Sequence, residues 1–380
     1  MTDDPPPNPA LLPAGLRDLL PPEAETEAAA VETLMDAFAA HGYERVKPPL
    51  MEFEDSLLAG SGSAMAEQTF RLMDASTSRM MGLRADMTPQ VARIATTRLG
   101  HTSRPLRLSY AGQCLRVQPT GLDPDRQIAQ AGIELIGHDS PEADAEILRV
   151  GAEALHALGL VRISFDLTMP PLVQTLLAEC DISGEARTRI AHALDRKDAA
   201  AVAAHGGALA GTLTNLLLAA GPADRALAAL RDAALPPGAR SLADRLAATV
   251  AAINARAPAL KLTIDPVEFR GLRYHTGVCM TVYAPGRHEE LGRGGRYICG
   301  DSEPATGLTL YPDAILRAAP PRQARKRVYV PIGTDGAWLR AEGYATVAAL
   351  DAILDPMTEA ARLRCSHVLI GDSLIALQPE

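Results

Sequence analysis

The sequence of 380 residues is poor in aromatic residues, in cysteine and in long apolar runs. Aromatic residues make up 4% of the chain, which together with abundant alanine favours helix-rich packing. The five cysteines show neither a CxxC pair nor a Cys/His metal spacing, so we expect buried or idle thiols and no metal. No segment approaches the roughly 20 apolar residues of a membrane span, and the proline-rich start lacks a signal-peptide core. These absences predict a cytoplasmic protein without membrane contact.

The chain also lacks an excess of positive charge. Its formal net charge is −9 and its pI is near 5.5. Affinity for nucleic acid comes mainly from clustered Lys and Arg that release counterions, so this balance argues against tRNA binding. The length exceeds what a single core usually reaches, which favours two domains.

Common catalytic signatures are missing as well. We find no Walker A pattern, no GxSxG, no HExxH, and no GxGxxG after a plausible strand. Nucleophilic and metal chemistry therefore have no visible residues to carry them. We expect no catalytic residues, no metal site and no cofactor.

Hydrophobic periodicity predicts an α+β core in which helices flank a mostly antiparallel sheet. Helical spacing covers residues 23–41, 84–99 and 142–158. Extended or hairpin patterns cover residues 43–52, 69–83, 161–167, 261–264 and 274–283. Pro48 and Pro49 would place the first of these segments at a sheet edge. The glycine-rich segment LGRGGRY, residues 291–297, predicts a tight loop before another strand.

The same patterns predict the organisation of domains. Residues 1–12 form a flexible tail and residues 13–319 form the core, which carries a helical insertion at about 170–258. A linker at 320–327 leads to a small α/β unit at 328–380, with a strand at 328–332, a helix at 337–352 and a strand at 367–370. That unit is too short for a complete domain of ordinary size.

Polar residues interrupt an apolar strand in the segment from Ser109 to Gly137. Gln130, Gly132 and Glu134 alternate along one face of the second strand, and the glycine between two polar groups predicts a hollow. Arg116 lies on the partner strand near the small residues Gly112 and Cys114, where a guanidinium could bind a carboxylate or phosphate. A solvent-facing strand with a surface arginine would give a similar pattern.

Two further segments add candidate ligand-binding groups. LRADMTPQ contains Asp86 and Thr88, although an acid and a hydroxyl there are also typical of a helix N-cap. FRGLRYHTG contains Arg270, Tyr274 and His275, which an ordinary turn into a strand would also explain. Taken together, the polar groups of these segments and the hairpin suit a free amino acid with a polar side chain.

From about Pro13 to Ala319 these motifs resemble the catalytic core of histidyl-tRNA synthetases, which are class II enzymes. GYERVKPPLME is similar to motif 1 at the dimer interface, LRADMT to LRPEGT, and GQCLRVQ to motif 2. FRGLRYHTG is similar to RGLDYY, and RGGRY is similar to GGGRYD. The resemblance implies a class II synthetase-like fold.

The resemblance also implies roles for individual residues. Asp86, Thr88 and Gln130 match positions that bind the α-ammonium group, Glu134 matches the imidazole contact, and Arg270 matches the carboxylate contact. Tyr274 matches the first tyrosine of the family's pair, and His275 replaces the second. The implied histidine-binding set is Asp86, Thr88, Arg116, Gln130, Glu134, Arg270, Tyr274 and His275.

The nucleotide half of the pattern is eroded. Arg116 retains the motif 2 arginine, but the usual acid two positions later is Gln118. Pro124 and Ile128 stand where the family has a phosphate-binding arginine and an adenine-stacking aromatic residue. In GLTLYPDA, residues 307–314, Tyr311 replaces the second glycine of motif 3, Pro312 follows it, and Ala314 replaces the arginine. This combination predicts that ATP chemistry is lost.

A synthetase-like chain with an amino-acid pocket and no ATP site resembles the regulatory subunits of ATP phosphoribosyltransferase. That resemblance implies a non-catalytic subunit that activates a short-form catalytic subunit in the first step of L-histidine biosynthesis. It further implies a hetero-octamer of four plus four subunits, self-association through the motif 1 interface, and L-histidine as feedback inhibitor. The alternatives are a divergent enzyme that forms an aminoacyl adenylate, for tRNA or for a protein or carrier, and a tRNA-binding sensor.

Overall fold

The computed structural model describes residues 10–119, 124–268 and 275–377, which fall into two compact units, Met1–Pro320 and Pro321–Glu380. The helices are α1 Glu23–Ala40, α2 Glu54–Leu57, α3 Thr88–Thr97, α4 Pro141–Ala157, α5 Pro170–Glu179, α6 Gly184–Asp195, α7 Ala199–His205, α8 Ala210–Leu218, α9 Ala223–Asp232, α10 Pro237–Arg256, α11 Pro312–Ala318, α12 Ala337–Ala341 and α13 Pro356–Arg362. The strands are β1 Glu44–Arg45, β2 Met51–Phe53, β3 Arg71–Met73, β4 Met80–Leu83, β5 Leu106–Leu115, β6 Gln127–Ile136, β7 Ser164–Thr168, β8 Gly221–Pro222, β9 Lys261–Asp265, β10 His275–Tyr283, β11 Glu290–Cys299, β12 Glu303–Leu310, β13 Arg327–Val330, β14 Ala345–Ala348, β15 His367–Ile370 and β16 Ser373–Ala376. Short 3₁₀ helices cover Gly60–Gln68 and Gly207–Leu209.

A nine-stranded sheet dominates the larger unit, in the order β1-β5-β6-β12-β11-β10-β7-β9-β8. The six central strands, in the spatial order β5-β6-β12-β11-β10-β7, pair antiparallel with their neighbours. The pairs β1 with β5 and β7 with β9 are parallel. This arrangement confirms the predicted α+β class with a mostly antiparallel sheet. A separate three-stranded sheet, β2-β4-β3, contains the predicted hairpin at residues 69–83.

The two faces of β6 have different surroundings. Ala131, Ile133 and Leu135 point into the main hydrophobic core, which they share with α1 and α4. Gln130 and Glu134 point to the opposite face and are also buried. Because successive side chains of a strand alternate, the polar face and the core face are fixed by the same register. The alternative of a solvent-facing polar strand is therefore wrong.

Helices α1 and α4 form where the sequence provides both an apolar stripe and suitable ends. The Ser140 side chain accepts a hydrogen bond from the Ala143 N–H at 3.2 Å, and Pro141 occupies the first turn of α4. Helix α1 ends just before Gly42, whose φ of +79° lies in the left-handed region that favours glycine. Both predicted helices are thus confirmed, and together they cover the core face of the sheet.

The segment from 170 to 258 consists of α5 to α10 with the short strand β8. Its buried side chains, among them Leu172, Leu213 and Leu246, belong to the same hydrophobic cluster as the sheet. The helices therefore extend the main core. Within the described ranges, no helix combines the length and the apolar character needed to cross a membrane.

Two predicted elements are wrong. The segment LGRGGRY is the interior of β11, because its glycines permit close approach of β12: a side chain at Gly294 would overlap the Gly307 carbonyl. The helix predicted at 337–352 ends at Ala341. Gly343, with a φ of +91°, turns the chain into β14.

The smaller unit has a four-stranded sheet in the order β14-β13-β15-β16, in which β14, β13 and β15 are parallel. Leu339 of α12 packs with Val328 and Val330, whereas Ala360 of α13 packs with Tyr329. Alternate residues of β13 thus enter two separate clusters, each with one of the helices. Strand β16 and helix α13 have no counterpart in the sequence prediction.

Candidate functional site

A cavity of about 1120 Å³ opens on the polar face of the nine-stranded sheet. Its wall includes residues of β6, β11 and β12, the first residue of α3 and part of α11. Six of the eight predicted histidine-binding residues lie in the described ranges. Asp86, Thr88, Arg116, Glu134 and His275 line the cavity, so the structure brings together groups from four separate segments of the chain.

Glu134 forms the buried end of the cavity. Its carboxylate accepts hydrogen bonds from Thr88 Oγ1 at 3.0 Å, from the Tyr297 hydroxyl at 3.0 Å and from the Tyr110 hydroxyl at 3.3 Å. The side chain is 1% exposed, and burial raises its pKa to about 8 although the three hydroxyls oppose the rise. A carboxyl group with this pKa can change its protonation state near neutral pH when a ligand binds.

The carboxylate of Glu134 lies directly over Gly307 on the neighbouring strand. The two residues are register partners, and a Cβ on Gly307 would overlap the carboxylate oxygens. Gly295 of β11 is in turn the register partner of Gly307. Two adjacent strands therefore present backbone at this point, which leaves room for a ligand beside the acid.

Gln130 lies behind Asp86 and is fully buried. Its Nε2 donates to Asp86 Oδ2 at 3.1 Å, and its Oε1 accepts from the Met87 N–H at 3.0 Å. Asp86 Oδ1 accepts from the Thr88 N–H at 2.9 Å, so the same acid also shapes the start of α3. In this structure Gln130 holds Asp86 in place. A direct contact of Gln130 with a ligand stays a prediction.

His275 and Tyr297 are register partners on β10 and β11, and both line the cavity. Burial and, to a lesser extent, the positive charge of Arg293 together lower the pKa of His275 to about 4. His275 is therefore neutral at physiological pH. A neutral imidazole can donate or accept a hydrogen bond at the position where the resemblance places a tyrosine.

Arg116 lines the cavity immediately after β5. Its Nε donates to the Ala85 carbonyl at 3.4 Å, and its backbone N–H donates to the Arg126 carbonyl at 2.8 Å. These bonds fix Arg116 next to the segment that carries Asp86. The other two predicted site residues, Arg270 and Tyr274, lie outside the described residues.

Two spaces expected beside small residues are filled. The predicted hollow over Gly132 contains the Tyr110 ring, and the space over Gly112 contains the guanidinium of Arg84. Arg84 is buried and donates to the carbonyls of Gln113 and Pro48. The predicted hollow at Gly132 is therefore wrong, and the small residue Gly112 leaves no open space beside Arg116, because side chains from other elements occupy both positions.

The sequence analysis missed three residues around the buried acid. Tyr110 and Tyr297 contact Glu134, and Thr309 Oγ1 lies 2.8 Å from the Tyr110 hydroxyl. A signal for Tyr110 was present, because it lies two residues from Gly112 and so on the same face of β5. Tyr297 is part of the quoted RGGRY segment. Its role depends on a pairing between distant strands that the sequence does not specify.

The positions of the eroded nucleotide motifs also line the cavity. Pro124, Ile128, Tyr311 and Ala314 contribute to its wall. Among the described lining residues, seven acids face five arginines. The acids are Glu23, Asp86, Asp125, Glu134, Glu289, Glu290 and Asp313, and the arginines are Arg17, Arg116, Arg287, Arg293 and Arg317.

Three of these arginines form ion pairs with acids in the same wall. Arg17 pairs with Asp125 and Glu23 at 3.3 Å each. Arg293 pairs with Glu290, and Arg317 pairs with Glu289. This distribution of charge suits a zwitterion better than a ligand with several negative charges. In the part of the chain that the structure describes, no group of three or more His, Cys, Asp or Glu could hold a metal ion.

Similarity to known proteins agrees with this geometry. Residues 15–315 match the family model of histidyl-tRNA synthetase. A Paramagnetospirillum magneticum protein described as an ATP phosphoribosyltransferase regulatory subunit is 56% identical over 374 residues, which covers 98% of this chain and 99% of that protein. A Rhodospirillum centenum protein with the same description is 53% identical, with 100% and 99% coverage.

Solved structures support the fold. An ATP phosphoribosyltransferase regulatory subunit/histidyl-tRNA synthetase from Bacillus halodurans has a TM-score of 0.78 and 23% identity, covering 94% of this chain and 97% of that one. A histidyl-tRNA synthetase from a Nostoc species has a TM-score of 0.75 and 17% identity, covering 95% and 91%. The fold is thus that of class II histidyl-tRNA synthetases. Together with the high identity over the full length, this shows that the chain belongs to the family of ATP phosphoribosyltransferase regulatory subunits.

Proposed function

We propose that the chain is a non-catalytic regulatory subunit that binds L-histidine in this cavity and thereby inhibits its catalytic partner. One observation carries the proposal: the buried carboxyl group of Glu134 is surrounded by hydroxyl groups at the closed end of a cavity whose wall carries both charges. The family membership supports the regulatory role.

The chemistry of the buried end suits an imidazole ring. A carboxyl group accepts a hydrogen bond from a ring N–H, and the hydroxyls of Tyr297 and Thr88 can donate or accept as the second ring nitrogen requires. Asp86 supplies an acid for the α-ammonium group, and Arg116 and Arg270 supply guanidinium groups for the carboxylate. Each polar group of L-histidine thus has a partner of opposite character.

The absence of catalysis is proposed from the charge around the cavity. Adenylate formation requires a bound triphosphate, whose charges need several available cations. Three of the cavity arginines are already paired with acids, and acids outnumber arginines in the described wall. These features support binding of an amino acid without its activation.

The assembly is likewise a proposal. A regulatory subunit needs a catalytic one, and the resemblance implies a short-form ATP phosphoribosyltransferase in a cytoplasmic hetero-octamer of four plus four subunits. Self-association through the motif 1 region is supported by exposed apolar side chains on and next to the sheet β2-β4-β3. These are Leu50, Leu72, Met73 and Met80.

Feedback would operate through a coupling free energy. L-histidine must bind the inhibited assembly more tightly than the active one, typically by ~1–3 kcal/mol, which corresponds to roughly 5- to 150-fold in affinity. Histidine binding to the isolated chain and inhibition of the assembly are therefore separate observables.

The experiment is calorimetric titration of L-histidine into the full-length chain, followed by inhibition assays on the complex with the catalytic subunit. Glu134→Gln and Arg270→Ala should abolish binding and inhibition while the variants still activate the partner. Full histidine sensitivity in both variants would show that the pocket is elsewhere. ATP–pyrophosphate exchange with histidine tests the alternative enzyme, since robust exchange would replace the regulatory proposal. Salt-sensitive tRNA binding would support the sensor alternative.

A further inference from the structure

The N-terminal strap, residues 13–17, lies across the end of the β5–β6 hairpin. The Gly15 carbonyl accepts from the Arg126 N–H at 2.8 Å, and the Ala14 carbonyl accepts from Arg126 Nη1 at 3.2 Å. Gly15 has a φ of +77°, and a Cβ there would come within 2.7 Å of both Arg126 Cγ and the Pro124 carbonyl. The strap is therefore seated tightly on the hairpin, and glycine is required at its closest approach.

Arg17 fastens the strap to two other elements. Its Nε lies 3.3 Å from Asp125 next to β6, and its Nη1 lies 3.3 Å from Glu23 at the start of α1. Burial raises the pKa of Glu27 and of Asp313, and the Arg17 charge opposes the rise at both. The charge of Arg17 thus interacts with four acids that come from three parts of the fold.

These contacts lie at the open end of the cavity. Arg17, Glu23 and Asp125 all line it. The side chains of Arg17 and Glu23 are 45% and 67% exposed, whereas Glu134 at the other end is 1% exposed. A ligand that reaches Glu134 enters from this exposed side, where Arg17 of the strap lies together with other exposed lining residues, among them Arg287 and His288.

The strap is also connected to the predicted site. Arg126, which holds the strap, donates from Nε to the Arg116 carbonyl at 3.1 Å, and its own carbonyl accepts from the Arg116 N–H at 2.8 Å. Its guanidinium lies 5.0 Å from the centre of the Phe70 ring. Arg126 is therefore held by the hairpin and by Phe70 independently of the strap.

We propose that the N-terminal strap is a gate of the ligand cavity and that Arg17 is its latch. Release of the strap from Asp125 and Arg126 would widen the entrance and speed ligand exchange. A gate that blocks both entry and exit changes the association and dissociation rates by the same factor and leaves the equilibrium constant unchanged. A residue that contacts the ligand changes the equilibrium constant instead. This kinetic signature separates a latch from a binding residue.

The test compares Arg17→Gln and Gly15→Ala with the unaltered full-length chain. The first removes the charge, and the second pushes the strap away from Arg126 by a steric route. Arg231→Gln is the matched control, because Arg231 is an exposed arginine on α9 paired with the adjacent Asp232. Association and dissociation of radiolabelled L-histidine are followed by rapid filtration. This assay rests on the proposed function, because its probe is the proposed ligand. Partly exposed ion pairs contribute modestly, so we expect both rates to rise by about 3- to 10-fold in Arg17→Gln. Both rates should also rise in Gly15→Ala, because the new Cβ would overlap Arg126 and the Pro124 carbonyl.

The dissociation constant should stay within about twofold, and the control should match the unaltered chain. Unchanged association and dissociation rates in both variants would overturn the gate. If Arg17→Gln raised the dissociation constant and the dissociation rate but left the association rate unchanged, Arg17 would instead be a ligand contact. If the unaltered chain binds no histidine, the proposed function fails. The latch is then decided by hydrogen exchange at the Arg126 amide, which must accelerate in Arg17→Gln because its bond to Gly15 is broken when the strap opens. Unaltered exchange there would overturn the latch.

Discussion

Replacing Glu134 by glutamine is expected to stabilise the ligand-free protein above neutral pH while abolishing histidine binding. The Glu134 side chain is 1% exposed, and burial raises its pKa from the ordinary value of 4.5 to about 8. Hydrogen bonds from Tyr297, Thr88 and Tyr110 favour the ionised form, and the charge of Asp86 disfavours it. The folded protein therefore keeps a proton on this group through neutral pH.

The sign of the pH dependence follows from where the proton is bound. Between pH 4.5 and 8 the folded chain holds a proton that the unfolded chain has released, so the free energy of unfolding falls as the pH rises. One pKa unit corresponds to about 1.4 kcal/mol, and the full shift gives an upper bound of ~5 kcal/mol lost by pH 8. Glutamine has nearly the same shape and no charge, so Glu134→Gln should not show this loss.

The assay is urea denaturation of both proteins at pH 5, 6, 7, 8 and 9. Other titrating groups are common to the two chains and cancel in the difference. We expect the variant's advantage to grow with pH and to reach roughly 2–5 kcal/mol at pH 8. Parallel stability curves would show that Glu134 is already ionised in the folded protein at neutral pH and would refute the reasoning.

Two further predictions concern groups near this acid. The pKa of His275 is lowered from 6.5 to about 4, so the contribution of this residue to the free energy of unfolding is fully present above pH 6.5 and is lost as the pH falls towards 4. In the same denaturation series, the free energy of unfolding of His275→Gln should therefore fall by up to ~3 kcal/mol less than that of the unaltered chain over this range. Gly307→Ala should abolish histidine binding and lower the free energy of unfolding by roughly 1–3 kcal/mol, because the new Cβ overlaps the buried carboxylate. Gly211→Ala is its control, since nothing lies within 4 Å of a Cβ there. Equal histidine affinity in the two alanine variants would contradict this assignment.

The elements that the sequence predicts well are those in which one local pattern is decisive. Alternation along β6 places Gln130 and Glu134 on one face, and helical spacing predicts α1 and α4. Polar side chains are unusual in an otherwise apolar strand, and this feature identifies Glu134 as a candidate ligand-binding residue. Its burial then requires partners, which the structure supplies.

Features that depend on distant contacts could not be predicted. The hydroxyl groups of Tyr110 and Tyr297 reach Glu134 only because β5, β6, β12 and β11 are neighbours in that order. Glycines in β11 gave a false loop signal, because glycine permits both turns and close strand packing, and only the pairing with β12 distinguishes them. The strap at Gly15 has no periodic pattern, and its role depends on Arg126, more than a hundred residues away.

The most direct test of the account is the activity of a short-form ATP phosphoribosyltransferase catalytic subunit measured alone, with this chain, and with this chain plus L-histidine. Co-purification of the two chains should precede the assay. The account predicts weak activity alone, strong activity in the complex, and inhibition by L-histidine that Glu134→Gln removes. A catalytic subunit that neither binds this chain nor responds to it, or histidine-dependent ATP–pyrophosphate exchange by the chain itself, would contradict the regulatory role.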